Sequence, residues 1–352
     1  MEAYTLIASC VPGLEGIVAE DLIGRPFVVR VLGIRRGRIV FEASEIHKVL
    51  GLRSIENLYL YLGEFHVPQE RTGLDVIRDG IRGLDIAIYF DLMDRLYGID
   101  RGGARFRCTA HRTGVHAYTS MDIASAAGES IKNTYGLKVN LKDYEYDVHL
   151  WVTNNTCVVC GRITKYGLHR RSYRTYVHPT MLNPTIAYIM CFLARKYNPS
   201  CNCILDPFCG SATIPIEFAM SYPDAIIYCG DIDPVYVRGS RGEIKALGLT
   251  DRIHISILDA RCLPFRDCSF DAIVSNMPYG WKCGSHRINV GLYPAVMSEM
   301  CRLGTNNCIF VLLTMEKNLL KSLIEAHEML LIDEYLIYQG GLYPSIYVLK
   351  RV

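Results

Sequence analysis

The stretch SNMPYG at residues 275–280 ends an apolar run with an amide, a proline and an aromatic ring. The Asn276 side chain offers a carbonyl oxygen. The residue before a proline is driven into an extended conformation, which can turn the Met277 carbonyl toward a pocket. Tyr279 adds a ring face on which a flat base can stack. This pattern predicts a site for a planar base with an exocyclic amine, with Asn276, Pro278 and Tyr279 as the catalytic residues.

Acidic residues follow three other short apolar runs. Asp206 opens DPFCGSAT, whose small residues let a ligand approach the backbone and whose Thr213 is expected to cap the next helix. Asp231 can accept two hydrogen bonds from a ribose diol, whereas Asp233, before a proline, is expected to cap a helix. Asp259 can accept from an exocyclic adenine amine.

An acid for an amine, an acid for a diol and an acid for an adenine together describe S-adenosylmethionine. The glycine pattern of a dinucleotide site is absent, which disfavours a nucleotide-dependent oxidoreductase. The predicted cofactor-binding residues are Asp206, Phe208, Gly210, Thr213, Asp231, Ile232, Asp259, Ala260 and Asn276.

The elements that position these residues alternate regularly after residue 200. Short apolar strands at 203–205, 225–229, 253–258, 270–275 and 308–313 are separated by helical stretches. Such alternation predicts an open parallel α/β sheet, and ligands bind such sheets at the carboxyl ends of the strands. The last residues form two β-rich runs around Gly340-Gly341, which predicts an antiparallel hairpin at the sheet edge.

The motifs DPFCGSAT, IPIE and NMPYG resemble those of the Rossmann-fold (class I) methyltransferases that modify exocyclic amines of nucleic-acid bases. This resemblance implies a Rossmann-like α/β methyltransferase domain. In that family the fourth motif is usually Asp, Asn or Ser followed by Pro-Pro and Tyr or Phe. Here Met277 stands where the first proline would be, which keeps the backbone acceptor but removes the constraint of that proline on the loop.

The first half of the chain contains FRCTAHRTGVHAYTSMDIASAAGESI and YGLKVNLKDYEYDVHLWV, which resemble an α+β THUMP domain. THUMP domains bind RNA, typically the 3′ end of tRNA, and usually follow a ferredoxin-like unit. The resemblance implies an N-terminal ferredoxin-like unit at 1–65, THUMP at 66–165, a basic linker at 166–182 and the methyltransferase domain at 183–352.

This domain order resembles the tRNA guanine-N2 methyltransferases, including the family that acts at position 6 of the acceptor stem. Methylation at position 10 and an RNA-binding protein that has lost catalysis remain alternatives. Asn276 favours position 6, because the family acting at position 10 often has Asp there. A target amine in a duplex stem has to be flipped out before it can react.

The charge distribution agrees with a polyanionic partner. Residues 101–174 hold 12 Lys and Arg against 5 Asp and Glu, although the whole chain has a net charge of only +2. Basic and aromatic residues interleaved in the linker suit phosphate contact and stacking. The predicted RNA-binding residues are Arg107, Arg112, Lys165, Arg170, Arg171 and Arg174.

The sequence also bears on whether the protein spans a membrane, is secreted or binds a metal. The chain of 352 residues is 50% hydrophobic and has no apolar stretch of about 18 residues, the length that a membrane span needs. No signal peptide is evident, so we expect a cytoplasmic protein. Cys157 and Cys160 have metal-ligand spacing but no second pair, and we expect packing residues and no metal.

Overall fold

The computed structural model describes residues 3–175, 181–280 and 286–351, whose strands form two sheets. The strands of the first sheet are β1 (Tyr4–Ser9), β2 (Val28–Arg35), β3 (Arg38–Ala43), β4 (Asn57–His66), β5 (Arg105–Thr113), β6 (Lys138–Val139), β7 (Tyr146–Thr153) and β8 (Thr156–Arg162). The helices of this half are α1 (Glu15–Ile23), α2 (Ile46–Val49), α3 (Gly73–Gly83), α4 (Ala87–Tyr97) and α5 (Ser120–Tyr135).

The second sheet belongs to the second half of the chain. Its strands are β9 (Cys203–Asp206), β10 (Ile226–Asp231), β11 (Ile253–Ile257), β12 (Phe270–Asn276), β13 (Gly304–Thr314), β14 (Met329–Leu336) and β15 (Ser345–Arg351). The helices are α6 (Pro184–Tyr197), α7 (Thr213–Ser221), α8 (Pro234–Ala246), α9 (His286–Leu303) and α10 (Lys317–Ala326).

The first sheet has eight strands in the order β2-β3-β1-β4-β8-β7-β5-β6. Its first four strands with α1 and α2 follow the βαββαβ connectivity of a ferredoxin-like unit. Strand β4 pairs with β8 in antiparallel orientation, so the predicted N-terminal unit and the THUMP-like unit share one continuous sheet.

The second sheet has the order β11-β10-β9-β12-β13-β15-β14. Strands β9 to β13 are parallel, and β15 inserts antiparallel between β13 and β14. The predicted open α/β sheet and its C-terminal hairpin are therefore confirmed. The carboxyl ends of β9, β10 and β12 meet at one edge, because Asp206 pairs with Cys229 while Ile273 pairs with Leu205.

The two halves are joined by buried polar contacts. Glu217 on α7 is 0% exposed and accepts hydrogen bonds from Arg53 Nε (2.7 Å), Arg171 Nε (2.9 Å) and Tyr173 Oη (2.7 Å). A buried carboxylate is tolerated only when it is paired and hydrogen-bonded. Here a residue of the first half and two residues of the linker supply that pairing.

A close backbone approach adds to this junction. Gly13 has a φ of +99°, and a Cβ placed there would lie 2.0 Å from the Leu336 carbonyl oxygen at the end of β14. Nearby, the Tyr338 amide donates to the Pro12 carbonyl at 3.0 Å. The N-terminal unit therefore packs directly on the C-terminal hairpin.

Within the three described ranges, the helices are too short or too polar to cross a bilayer.

Gly13→Ala should destabilise the full chain well beyond the cost of backbone strain. Gly98→Ala is the matched control, because Gly98 also has a left-handed φ (+63°) but no heavy atom lies within 4 Å of its added Cβ. We expect Gly98→Ala to cost about 1 kcal/mol and Gly13→Ala about 3 kcal/mol or more, measured by urea denaturation. Equal losses in the free energy of unfolding for the two variants would show that Gly13 and Leu336 are not in tight contact.

Candidate active site

A cavity of about 950 Å³ opens at the carboxyl ends of the central strands. Every residue predicted for the cofactor or for catalysis lines it: Asp206, Phe208, Gly210, Thr213, Asp231, Ile232, Asp259, Ala260, Asn276, Pro278 and Tyr279. The cavity is also lined by Met181 and Leu182 of the linker and by Gln339 and Leu342 of the C-terminal hairpin. The sequence did not indicate these four, because they reach the cavity only through tertiary packing.

Asp206 ends β9 at the floor of the cavity and is 1% exposed. Its Oδ1 accepts from Ser275 Oγ at 2.7 Å and from the Phe208 amide at 3.2 Å. Burial raises the pKa of Asp206 to about 7, against the opposing effect of these two donors. A buried carboxyl with a raised pKa is favourably ionised only when a cation approaches it.

Asp231 ends β10 and organises the loop that follows β9. Its Oδ2 accepts from the Gly210 amide at 3.1 Å and its Oδ1 from the Asp233 amide at 3.0 Å. Burial raises the pKa of Asp231, and these backbone donors oppose the shift. Asp233 caps α8 through its hydrogen bond from the Val235 amide at 2.7 Å, as predicted.

The prediction that Thr213 caps α7 is wrong. Ala212 occupies the cap position with a left-handed φ of +54°, and Thr213 is the first helical residue. Thr213 Oγ1 instead accepts from Arg174 Nη2 at 2.8 Å and lies 3.2 Å from Ser211 Oγ. Helix α7 therefore begins without a side-chain cap, and Arg174 of the linker contacts its first residue.

Asp259 lies at the cavity rim after β11. Arg261 donates to Asp259 from its amide (3.0 Å), its Nε and its Nη2 (2.7 Å). These contacts hold the pKa of Asp259 below its usual range. The carboxylate is ionised and able to accept a further hydrogen bond.

Asn276, the last residue of β12, carries a buried oxygen that lacks a donor. Among the residues that the structure describes, none donates to Asn276 Oδ1, although this atom is shielded from solvent. A buried acceptor left unpaired costs about 1–3 kcal/mol. A ligand amine at the cavity wall would remove that cost, so the atom fits the predicted role.

Met277 is anchored where the related motif has a proline. Its amide donates to the Leu313 carbonyl at 3.0 Å, which extends the pairing of β12 with β13 by one residue. Its side chain is 1% exposed and belongs to the core beneath the sheet. A proline could not make this hydrogen bond, because it has no amide hydrogen.

Helix α9 holds the next residue of the loop. The Pro278 carbonyl accepts from Asn289 Nδ2 at 3.0 Å and from Tyr293 Oη at 2.8 Å. Asn289 Nδ2 also donates to Glu316 Oε1 at 3.0 Å, and Tyr293 Oη lies 2.7 Å from Thr314 Oγ1. These bracing residues were missed; the signal was a polar pair four residues apart on the buried face of a helix.

Tyr279 and Gly280 complete the loop. The Tyr279 ring is partly buried at the cavity wall, and burial raises the pKa of its hydroxyl. Gly280 has a φ of +73°, and an added Cβ would lie 2.9 Å from Asn289 Nδ2. The loop therefore needs glycine at this position.

The predicted RNA-binding residues divide into two groups. Lys165 and Arg170 are exposed, Arg112 donates to the Gly114 carbonyl at 3.0 Å, and Arg107 pairs with Asp147 at 2.7 Å while partly exposed. These four remain accessible to a polyanion to different degrees.

Arg171 and Arg174 are instead buried, with side chains 8% and 6% exposed. Their guanidinium groups pair with Glu217 and Glu243, which are themselves buried. Because both guanidinium groups are buried and ion-paired, they are not accessible to RNA phosphates. We therefore do not assign these two arginines to RNA contact. Residues 176–180 of the predicted linker lie outside the described residues.

Cys157 and Cys160 are free thiols buried in β8. Within residues 3–175, 181–280 and 286–351, no group of three or more His, Cys, Asp or Glu side chains is arranged to hold a metal ion.

Curated relatives match much of the chain. The tRNA (guanine(6)-N(2))-methyltransferase THUMP3 of Mus musculus is 33% identical over 267 residues, which are 70% of this chain and 51% of the relative. This chain therefore spans about half the length of that mammalian relative. The tRNA (guanine(6)-N2)-methyltransferase of Thermus thermophilus is 28% identical over 350 residues, with 99% of each chain covered.

Solved structures and family models agree with these relatives. The crystal structure of TrmN from Thermus thermophilus superposes with a TM-score of 0.84 at 27% identity over 100% of both chains. Residues 77–160 match the THUMP domain, and residues 171–344 match the RMKL-like methyltransferase domain. The THUMP match covers β5 to β8 of the first sheet, and the methyltransferase match covers β9 to β14 of the second. The chain therefore belongs to the THUMP-containing proteins whose second half is an RMKL-like methyltransferase domain.

Proposed function

We propose that this protein transfers a methyl group from S-adenosylmethionine to the exocyclic N2 of a guanosine in tRNA. The observation that carries the proposal is the buried Asn276 oxygen, which has no donor among the described residues and belongs to the wall of a cavity rich in acidic strand ends. The matched methyltransferase domain and the relatives named as guanine-N2 methyltransferases support the reaction class.

The residues around the cavity fit the cofactor. Asp206 would accept from the amino group of the methionine part, and Asp231 would accept from the ribose hydroxyls. Asp259, with the Ala260 amide beside it, would hold the adenine edge. Gly210 and Phe208 would form the wall between these acids. When bound, the cofactor supplies an activated methyl group on a sulfonium sulfur.

The loop at the end of β12 would hold the base. Asn276 Oδ1 and the Met277 carbonyl would accept the two hydrogens of the amine, which orients its lone pair toward the methyl donor. The Tyr279 ring would stack on the base, an interaction worth about 1–3 kcal/mol. As the nitrogen bonds to the methyl carbon and the carbon–sulfur bond breaks, the nitrogen would gain positive charge that the two oxygens stabilise. S-adenosylhomocysteine would leave, and the methylated amine would release one proton to water. Positioning of this kind can supply much of the rate acceleration without a strong general base.

The first half would bind the RNA. The matched THUMP domain and the positive surplus of residues 101–174 support a tRNA partner. We assign phosphate contacts to Arg107, Arg112, Lys165 and Arg170, with the tRNA 3′ end and acceptor stem lying along the first sheet. The buried contacts at Glu217 would then keep a fixed distance between the RNA-binding half and the methylation site. In this proposal the N-terminal unit spans 1–65, the THUMP domain 66–165, the linker 166–182 and the methyltransferase domain 183–352.

Position 6 of the acceptor stem is the best-supported target. The relative from Thermus thermophilus, with 99% of both chains covered, is named for guanine 6, and Asn276 favours this family over the one acting at position 10.

The alternative of an RNA-binding protein without catalysis rested on Met277. The hydrogen bonds at Met277 and Pro278 support a well-ordered loop and hence an active enzyme.

The direct experiment uses the full chain, an unmodified tRNA transcript with guanosine at position 6, and isotopically labelled S-adenosylmethionine. Mass spectrometry of the nucleosides and mapping of nuclease fragments should find N2-methylguanosine at position 6. Label at position 10 would identify the alternative target. Tight tRNA binding with no label in any nucleoside would refute the proposed activity.

Asn276→Ala should lower kcat by about 10²-fold or more, because it removes one of two oxygens that stabilise the charge developing on the amine. The affinity for S-adenosylmethionine, measured by calorimetry, should fall by no more than about threefold, because Asp206, Asp231 and Asp259 would supply the main cofactor contacts. Asn318→Ala, at an exposed position on α10, is the control and should leave both values unchanged. A kcat within twofold of the natural protein would rule out Asn276 as a catalytic residue.

Tyr293→Phe should lower kcat by about tenfold while both substrate affinities stay within about threefold, because it removes one of two donors that hold the Pro278 carbonyl. Tyr347→Phe removes the hydroxyl of an equally buried tyrosine on β15, away from the loop, and is the matched control. Equal kinetics for the two variants, measured in steady-state assays, would argue against bracing by α9.

The affinity for S-adenosylmethionine should rise with pH up to about 7, because Asp206 has to release its proton before it can pair with an amino group. Well below pH 7 the rise should be about tenfold per pH unit. Above about pH 8 the affinity should fall as the amino group of the ligand loses its charge. Calorimetry across pH 5–9 would test this dependence.

Asp206→Asn is the control for the pH profile. This variant should bind more weakly and should lose most of the acid limb, with a remainder from Asp231, whose pKa is also raised. An unchanged acid limb in the variant would place the titrating group elsewhere.

A further inference from the structure

Arg174 reaches from the linker into the loop that follows β9. Its Nη1 donates to the Ser211 carbonyl at 3.1 Å, and its Nη2 donates to Thr213 Oγ1 at 2.8 Å. These two acceptors flank Ala212, which has the left-handed φ of +54°. The guanidinium group therefore spans the one non-glycine residue of the loop that is held in a strained conformation.

Strain at Ala212 has a measurable cost. A left-handed conformation costs an alanine about 1–2 kcal/mol and persists only where surrounding contacts over-determine it. The hydrogen bonds from Arg174 on both sides of Ala212 are such contacts. In the same loop, the Gly210 amide donates to Asp231 at 3.1 Å.

The charge of Arg174 is itself held in place. Glu243 on α8 pairs with Arg174 Nη1 at 3.1 Å and accepts from the Thr175 amide at 2.8 Å. Both side chains are buried, so the pair is protected from screening by salt. The linker, the loop and α8 thus meet at a single guanidinium group.

We propose that Arg174 is a positioning residue of the cofactor site, which makes residues 171–175, ahead of α6, part of that site. By holding Ser211 and Thr213, it keeps the loop in the shape that binds S-adenosylmethionine. The inference rests on our assignment of residues 206–213 as the cofactor loop, and it does not depend on which nucleotide is methylated. It also replaces the earlier expectation that Arg174 contacts RNA.

The planar fork of the side chain is what this role requires. An arginine presents donors in a fixed plane and can serve the carbonyl, the hydroxyl and the carboxylate together, whereas a lysine is a flexible point charge. Arg174→Lys in the full chain would keep a positive charge opposite Glu243 while removing the simultaneous contacts. This variant therefore separates positioning from charge.

Calorimetry should find that Arg174→Lys binds S-adenosylmethionine about tenfold more weakly, a change of about 1.4 kcal/mol. Its affinity for tRNA, measured by filter binding, should stay within twofold. Arg170→Gln, which changes the exposed neighbour in the linker, should give the reverse pattern. The inference is overturned if Arg174→Lys weakens tRNA binding and leaves cofactor binding unchanged.

A rescue variant distinguishes positioning from general destabilisation. Glycine adopts a left-handed φ without strain, so Ala212→Gly in the Arg174→Lys background should recover at least half of the lost affinity, expressed as free energy. Ala212→Gly in the natural background is the control for a general gain in stability, and it should leave the affinity for S-adenosylmethionine within about twofold. Failure of the rescue in a folded protein counts against the inference.

Thr213→Val serves if Arg174→Lys does not fold. It removes the hydroxyl that accepts from Arg174 and leaves every charge in place, and it should weaken cofactor binding by about fivefold; unchanged affinity would contradict the inference. Asp206→Asn, at the start of residues 206–213, tests the loop assignment separately. If cofactor binding survives Asp206→Asn unchanged, the assignment of the cofactor loop fails, and the inference about Arg174 fails with it.

Discussion

The proposed active site depends on one buried oxygen at the end of a strand. Asn276 Oδ1 is shielded from water, and no described residue donates to it. The two residues that follow Asn276 are held by hydrogen bonds: the Met277 amide donates to the Leu313 carbonyl of β13, and two donors from α9 hold the Pro278 carbonyl. An acceptor that cannot relax toward a partner of its own is preorganised for a donor from a ligand. The substitution of the usual proline by Met277 is compatible with this rigidity, because the lost ring constraint is replaced by a hydrogen bond and a buried side chain.

A second constraint links the two halves of the molecule. Glu217 and Glu243 are buried carboxylates of the methyltransferase domain, and their partners come from the N-terminal unit and the linker. Removing one partner of such a pair leaves an uncompensated buried charge and is strongly destabilising. The geometry between the first sheet and the cavity is thus built into the folded state. A fixed geometry of this kind is what an enzyme needs if it recognises RNA at one place and reacts with it at another.

The sequence was sufficient for the parts of the fold that local pattern controls. Alternating apolar strands and helices predicted the parallel sheet, and the residues at the strand ends predicted the cavity, because parallel strands end at a common edge. Residues whose role depends on distant contacts were not predictable in this way. Thr213 was expected to cap a helix, but the left-handed Ala212 takes that place. Arg174 had the composition of an RNA contact, yet it pairs with Glu243, 69 positions away in the chain. Tyr293 was not predicted, since its partner Pro278 is 15 positions away in the chain.

The most direct test is a crystal structure of the full chain with S-adenosylhomocysteine and a guanosine nucleotide. We predict that the guanine N2 lies about 2.7–3.2 Å from Asn276 Oδ1 and faces the sulfur, with Asp231 on the ribose hydroxyls. A structure in which the guanine binds elsewhere, or in which Asn276 Oδ1 accepts from a protein group while both ligands are bound, would contradict the account.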